Sequence, residues 1–283
     1  MPVELDGPEW EVVVGRLRTG GCVFAEDEAR LLLAEADDRA ALDAMITRRV
    51  EGSPLELVLG WADFGGVRIA VEPGVFVPRQ RTRFLAYLAS GFLAPGEAVV
   101  DLCCGAGPIG ASLLEAMRQR GDGRIELHAA DIDEAAVRCA RKNLATAIES
   151  GDAFVYQGDL DAPLPARLTG KVSILTANVP YVPTTEIQLL PSEARDYEPL
   201  NALDGGPDGL DLLRRVATEA APRWLRPDGR LLIEVSDRQQ DAAIAAFRAA
   251  GLEPSVHESA DYASTVLIGR FVGGRFRSSL RAR

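Results

Sequence analysis

Two short stretches of this chain hold residue types that could perform chemistry. Residues 101–110 read Asp-Leu-Cys-Cys-Gly-Ala-Gly-Pro-Ile-Gly, in which Gly105, Gly107 and Gly110 follow the spacing G-x-G-x-x-G. Glycines at such a turn let the backbone approach a ligand closely, and the free N–H groups at the start of the following helix can bind one. The stretch therefore favours a cofactor site, and a tight turn without a ligand is the alternative.

An acidic residue narrows the kind of cofactor. Residues 125–130 are predicted to form a buried strand, and Asp131 ends it roughly 20 residues beyond the glycines. A carboxylate at this position can bind the hydroxyl groups of a ribose. A nicotinamide enzyme and a methyltransferase both remain possible on this evidence.

The second stretch, Asn178-Val-Pro-Tyr181, follows a predicted strand at residues 171–177, where open α/β sheets bind their ligands. An amide nitrogen is a poor nucleophile because its lone pair is delocalised. It can attack a methyl sulfonium if two acceptors hold its N–H bonds. The Asn178 side-chain oxygen and the Val179 carbonyl can be these acceptors, Pro180 has no competing N–H, and Tyr181 offers an aromatic wall. The motif predicts methyl transfer to a side-chain amide, and a plain strand exit is the alternative.

Alternating strands and helices must position these residues. Further strands are predicted at 97–103, 153–156 and 229–235, with an antiparallel pair at 255–259 and 264–271, and helices are predicted at 82–92, 109–117, 133–147, 210–225 and 239–250. This alternation indicates a doubly wound α/β sheet. We expect four parts: helical residues 1–52, a linker with a β-hairpin at 53–81, a catalytic domain at 82–272 and a basic tail at 273–283. Residues 182–209 are expected to form a lid.

Composition excludes several classes of function. The net charge of −11 disfavours a protein that relies on phosphate contacts along nucleic acid. The four cysteines form no C-x-x-C motif and the two histidines stand apart, so we expect no metal site. No signal peptide or long apolar run is evident, and we expect a cytoplasmic protein without a membrane partner.

From about residue 40 to about residue 271, the chain resembles the PrmC/HemK family of release-factor glutamine methyltransferases. The resemblance rests on the glycine stretch, Asn178–Tyr181, and the match of Pro78, Arg79 and Thr82 to an Ile-Pro-Arg-Pro-Glu-Thr segment. It departs at Gln80 and Arg81, which replace a proline and an acid. It departs also at Cys103, where the family usually has glycine, and at Val179, which replaces a proline.

The resemblance implies a seven-stranded methyltransferase fold with a small N-terminal helical domain that holds a protein substrate, and a domain that only caps the catalytic domain is the alternative. It implies S-adenosyl-L-methionine as cofactor, S-adenosyl-L-homocysteine as product, and the Gly-Gly-Gln glutamine of peptide-chain release factors as substrate. By this resemblance, the cofactor-binding residues are Asp101, Cys103, Gly105, Gly107, Asp131, Asp159, Leu160 and Asn178. Asp159 and Leu160 are expected to contact the adenine. The substrate pocket is expected at Phe76, Pro78, Arg79, Glu198 and Pro199.

Three other functions compete with this interpretation. A methyltransferase for a nucleobase or a small amide would use the same motifs, but interleaved basic and aromatic residues are lacking. A nicotinamide oxidoreductase would leave Asn178 to Tyr181 without a role. A module that only holds the cofactor would make Asn178 dispensable.

Overall fold

The computed structural model describes residue 3, residues 5–121 and residues 123–272. The basic tail expected at residues 273–283 lies outside the described residues.

The N-terminal part forms its own small core from helices. These are α1 (Gly7–Thr19), α2 (Ala25–Glu35), α3 (Arg39–Val50) and the short α4 (Leu55–Leu59). Asp6 starts α1 by accepting a hydrogen bond from the Glu9 backbone N–H, and Asp38 caps α3 in the same way through Ala41, which satisfies N–H groups that a helix start leaves free. The helical structure expected within residues 1–52 is present, and α4 was missed because residues 53–81 were taken as linker.

A two-stranded hairpin links this part to the main sheet. Strand β1 (Trp61–Phe64) pairs antiparallel with β2 (Val67–Ala70). Gly65 and Gly66 between them both have positive φ, at 70° and 83°, which a two-residue hairpin turn of type I′ requires. The β-hairpin expected within the linker is present.

The main sheet has seven strands. They are β3 (Ala98–Leu102), β4 (Glu126–Asp131), β5 (Ala153–Gln157), β6 (Val172–Ala177), β7 (Leu225–Val235), β8 (Leu252–Ser259) and β9 (Ser264–Phe271), in the spatial order β5-β4-β3-β6-β7-β9-β8. The first five pair in parallel, and β9 lies antiparallel between β7 and β8. This confirms the predicted doubly wound, seven-stranded fold.

Helices cover both faces of this sheet. They are α5 (Arg83–Ser90), α6 (Pro108–Arg120), α7 (Glu134–Asn143), α8 (Ala145–Glu149), α9 (Ser192–Tyr197), α10 (Asp211–Arg215), α11 (Ala221–Trp224) and α12 (Gln240–Ala249). Neighbouring strand residues point to opposite faces: Val99 packs in the core that contains α5 to α7, and Val100 packs in the core that contains α10 to α12. The register Leu102↔Ala177 makes β3 and β6 end side by side, so the two chemical motifs leave the sheet together.

Three predicted elements differ in detail. The helix predicted at 210–225 contains a π-helical turn, Val216–Ala220, just before Pro222, which has no N–H to continue a regular ladder. The helix predicted at 133–147 is interrupted at Leu144. The segment 182–209 is not a plain loop, because it contains α9 and two 3-10 segments, Thr184–Leu189 and Leu200–Ala202.

Candidate active site

The glycine turn, residues 103–107, connects β3 to α6. Cys103, Gly105 and Gly107 all have left-handed φ values, at 53°, 54° and 81°, so the chain reverses within five residues. Glycine adopts such angles without strain, whereas cysteine does not. Gly110 has another role, since a Cβ there would lie 2.7 Å from Leu127 Cδ2, and its absence lets α6 pack tightly on β4.

Asp131 secures this turn at the end of β4. One carboxylate oxygen accepts a hydrogen bond from the Gly105 N–H at 2.8 Å, and the other accepts one from the Asp133 N–H at 2.9 Å. Burial raises the pKa of Asp131, and the two backbone donors oppose that rise. Each oxygen keeps a further lone pair, so the same carboxylate can also accept from ribose hydroxyls.

Asp101 occupies a different place from the one predicted for a cofactor residue. Its side chain is fully buried and does not line the cavity. One oxygen accepts a hydrogen bond from the Thr176 hydroxyl at 2.8 Å, which ties β3 to β6. Burial raises the pKa of Asp101 to about 7 despite this bond. The geometry indicates a role in joining the two strands.

A cavity of about 1040 Å³ opens where β3, β4 and β6 end. Its lining brings together most of the residues predicted from the sequence: Phe76, Pro78, Arg79, Cys103, Gly105, Asp131, Asp159, Leu160, Asn178, Val179, Pro180, Tyr181 and Pro199. Asp101, Gly107 and Glu198 are the predicted site residues that its lining does not include. Gly107 starts α6 behind the turn, with φ 81°.

The amide clamp, residues 178–181, lies at the cavity wall directly beside the glycine turn. The Asn178 side-chain nitrogen donates to the Thr82 hydroxyl at 3.4 Å. The Asn178 Oδ1 atom is buried and has no hydrogen-bond partner among the described residues. A buried acceptor of this kind is costly unless a ligand donor reaches it. Because Asn178 lines the cavity, this oxygen is a candidate acceptor for a donor group bound there.

Neighbouring contacts fix the rest of the clamp. Gln239 donates to the Tyr181 carbonyl at 2.8 Å, and Arg81 donates to the Tyr181 hydroxyl. Val179 and Pro180 are buried. These contacts hold the aromatic ring of Tyr181 at the cavity wall.

Glu198 lies next to the cavity and holds Arg79, one of the residues that line it. Its buried carboxylate pairs with Arg79 at 2.5 Å and accepts the Val77 N–H at 3.2 Å. Burial raises the pKa of Glu198, and the Arg79 guanidinium opposes that rise. Arg79 in turn lies over the Phe76 ring, 4.6 Å from its centre. Three of the predicted substrate-pocket residues, Phe76, Arg79 and Glu198, thus form one connected group, although Glu198 itself does not line the cavity.

Arg215 also lines the cavity, and the sequence analysis did not predict it as a site residue. Asp159 pairs with Arg215 of α10 at 2.8 Å, and Leu160 has a left-handed φ of 47°. Arg215 is 56 residues from Asp159 in the chain, so no local pattern could have joined them.

Thr82 and Glu234 were also missed. Thr82 matched the family segment but received no role, and Glu234 is an acid at the end of the otherwise apolar run Leu231 to Val235. A charged residue in a buried strand is unusual and is itself a signal.

No group of three or more histidine, cysteine or acidic residues that could hold a metal occurs within the described ranges. All four cysteines are free thiols. Across the same ranges, every helix is too short or too polar to span a membrane.

The chain is similar to known proteins in sequence and in fold. Residues 66–187 match the family model described as "Methyltransferase small domain". The chain is 36% identical over 227 residues to a release factor glutamine methyltransferase of Mycolicibacterium smegmatis, covering 78% of this chain and 76% of the relative. It is 32% identical over 268 residues to one of Bifidobacterium longum, covering 83% and 89%.

A solved methyltransferase structure from Pyrococcus furiosus has the same fold, with a TM-score of 0.52 at 16% identity, over 73% of this chain and 89% of that one. Because the sequence identity is low, this structural similarity is evidence for the fold alone. The sequence relatives go further, because each is more than 30% identical to this chain over most of its length. This chain belongs to the family of release factor glutamine methyltransferases.

Proposed function

We propose that this protein transfers a methyl group from S-adenosyl-L-methionine to the side-chain amide nitrogen of a glutamine in a peptide-chain release factor. The observation that carries the proposal is the unpartnered, buried Asn178 Oδ1 at the cavity wall. An amide –NH₂ group is a donor that fits this acceptor. The names of the relatives, which are release factor glutamine methyltransferases, support the choice of substrate.

The residues present fit the cofactor. Asp131 offers lone pairs for ribose hydroxyls, and the glycine turn has no side chain at Gly105 to fill the space, since an added Cβ there would meet nothing within 4 Å. Asp159 and Leu160 are proposed to contact the adenine. When bound, S-adenosyl-L-methionine supplies a methyl group on a positively charged sulfur.

The clamp's task is to orient the nucleophile. Asn178 Oδ1 accepts one N–H of the glutamine amide, and we assign the other N–H to the Val179 carbonyl. With both N–H bonds held, the nitrogen lone pair can face the methyl carbon. In that geometry the N–C bond would form as the C–S bond of the bound cofactor breaks, and S-adenosyl-L-homocysteine and one proton would be the other products. Positioning of this kind lowers the barrier without a strong base.

The mouth of the cavity suits a protein substrate. Leu189 is 80% exposed and Leu200 is 59% exposed on the segment above the cavity. Exposed apolar side chains around a cavity often mark a protein contact. Arg49 of α3 also pairs with Glu193 of α9 at 2.6 Å, which links the N-terminal helices to this segment. We propose that residues 1–52 and the segment 182–209 together contact a cytoplasmic release factor.

The test is methyl transfer from isotopically labelled S-adenosyl-L-methionine to a purified release factor, read by peptide mass spectrometry. We expect a single methyl group on the glutamine of the Gly-Gly-Gln motif. A substrate with asparagine in place of that glutamine should stay unlabelled. Label on another residue, or none with a folded substrate and bound cofactor, would contradict the proposal.

A further inference from the structure

Glu234, at the end of β7, contacts the two residues that hold the amide clamp in place, Arg81 and Thr82. Its side chain is 5% exposed. One carboxylate oxygen accepts from Arg81 Nε at 2.6 Å, and the other accepts from the Thr82 hydroxyl at 2.7 Å. Arg81 donates onward to the Tyr181 hydroxyl, and Thr82 contacts the Asn178 side chain. One carboxylate thus anchors two residues of the clamp through two intermediaries.

The direction of these hydrogen bonds matters more than their number. A carboxylate paired with a guanidinium can only accept, so the Thr82 hydroxyl must donate its single proton to Glu234. Thr82 then has only lone pairs left for Asn178. The Asn178 –NH₂ group must therefore face Thr82, as it does at 3.4 Å.

This chain of bonds sets which end of the Asn178 amide faces the cavity. The oxygen and nitrogen of an asparagine amide are almost identical in shape, so packing alone cannot choose between two orientations. With –NH₂ turned to Thr82, Oδ1 is left free as an acceptor. The reverse orientation would present an N–H donor to the substrate's own N–H, and the two would repel.

We infer that Glu234 is a positioning residue that fixes the orientation of the Asn178 amide through Thr82. The inference rests on the proposed function, because it explains how the clamp presents an acceptor to a glutamine amide. Glu234 contacts neither substrate nor cofactor in this role.

The decisive variant is Glu234→Gln. Its amide oxygen can still accept from Arg81, while its –NH₂ group donates to Thr82. The Thr82 proton is then free to be donated to Asn178 Oδ1, which turns the Asn178 amide over. We expect kcat to fall roughly 100-fold, as for loss of one transition-state hydrogen bond, with cofactor affinity unchanged.

Three control variants separate orientation from general damage. Glu258→Gln makes the same chemical change at an exposed carboxylate of β8, in a surface groove that Glu234 also lines. This variant should keep the wild-type rate. Thr82→Ser keeps the hydroxyl relay and should remain active. Thr82→Val has nearly the same shape without the relay and should lose activity as Glu234→Gln does.

A double-mutant cycle with Asn178→Asp gives the sharpest test. The two oxygens of aspartate are equivalent, so it has no orientation to lose. In that background, Glu234→Gln should cause no 100-fold loss of kcat, because whichever aspartate oxygen accepts from the Thr82 hydroxyl, the other remains an acceptor for the substrate amide. An equal 100-fold loss in both backgrounds, or an unchanged rate in Glu234→Gln alone, would overturn the inference.

A readout without turnover keeps this test separate from the proposed function. The Asn178 side-chain amide protons, assigned in ¹H–¹⁵N spectra through their loss in Asn178→Ala, should shift in Glu234→Gln and stay in place in Glu258→Gln. Unshifted resonances would overturn the inference even if the enzyme methylates glutamine. A wild-type enzyme that methylates no glutamine, but shows the shift, would overturn only the proposed function.

Discussion

The glycine turn and the amide clamp leave the sheet side by side, yet they are held in different ways. The turn is fixed mainly by main-chain groups and by the adjacent strand, through Cys104 N–H to the Ala130 carbonyl and Gly105 N–H to Asp131. The clamp is fixed by side chains from distant segments, since Thr82 is 96 residues from Asn178 and 152 from Glu234. In the turn, the N–H groups of Cys104, Gly105 and Gly107 have partners, whereas the clamp keeps one buried acceptor free.

This difference separates seating the cofactor from orienting the nucleophile. The glycine turn is held by backbone contacts that form together with the sheet. Substitutions in or beside it should therefore change the affinity for the cofactor or the free energy of unfolding. A clamp made of side chains is set by hydrogen-bond direction, so its variants should change rate. The following predictions test that division, starting with the largest effect.

Asn178→Ala should lower the rate of methyl transfer, whereas Asp131→Ala should weaken cofactor binding. Asn178→Ala removes the free acceptor, and we expect kcat to fall at least about 100-fold with the cofactor Kd nearly unchanged. Asp131→Ala removes the ribose acceptor and the Gly105 support, and we expect the cofactor Kd to rise about 10- to 100-fold, as for loss of hydrogen bonds to a charged group. Calorimetric titration with cofactor and initial rates at saturating cofactor measure the two effects. If Asn178→Ala weakened cofactor binding as much as turnover, the division between seat and clamp would be wrong.

Asp101 joins the strand of the turn to the strand of the clamp through its bond to Thr176, and the burial of its carboxyl group predicts a pH effect. The folded-state pKa of Asp101 is raised to about 7, above the unfolded value near 3.8. The folded protein therefore binds the proton more tightly, and the stability that this group contributes is lost as the pH rises from about 4 through about 7. Asp101→Asn should remove this share of the pH dependence.

Urea unfolding of both proteins between pH 5 and pH 8 measures this change. The free energy of unfolding of the wild type should fall relative to Asp101→Asn by up to about 1.4 kcal/mol per pH unit below pH 7, which corresponds to one proton. Parallel curves for the two proteins would show that Asp101 is ionised throughout that range.

Cys103→Gly should have the smallest effect and should be stabilising. Cysteine at φ 53° is strained by about 1–2 kcal/mol, and glycine is not, although its greater freedom in the unfolded chain returns part of the gain. We expect a net increase of about 0.5–1 kcal/mol in the free energy of unfolding. Cys103→Ala is the matched control, because it removes the thiol but keeps the Cβ, and it should give no such gain. Equal stability of both variants would locate the effect in the thiol instead.

Local patterns predicted most of the strands and the turn between β3 and α6. Apolar runs marked β3, β4 and β6, and the glycine spacing placed Gly105 and Gly107 where left-handed angles occur. Such features depend on residues that are near one another in sequence. The π-helical turn and α9 were not predicted, because each depends on packing within the fold as well as on local residues.

The sequence by itself determined the order of the strands and helices, the glycine turn, Asp131 at the end of β4 and the Asn178–Tyr181 motif. The resemblance to a family added the cofactor and the substrate. Only the tertiary structure decided that Glu234 reaches Thr82 and Arg81, that Asp101 faces Thr176 and not the cavity, and that the Asn178 Oδ1 atom is buried without a partner. The physical reason is that hydrogen-bond direction is set by pairs of side chains, and the partners of such pairs meet only when separate strands are brought to one edge of the sheet.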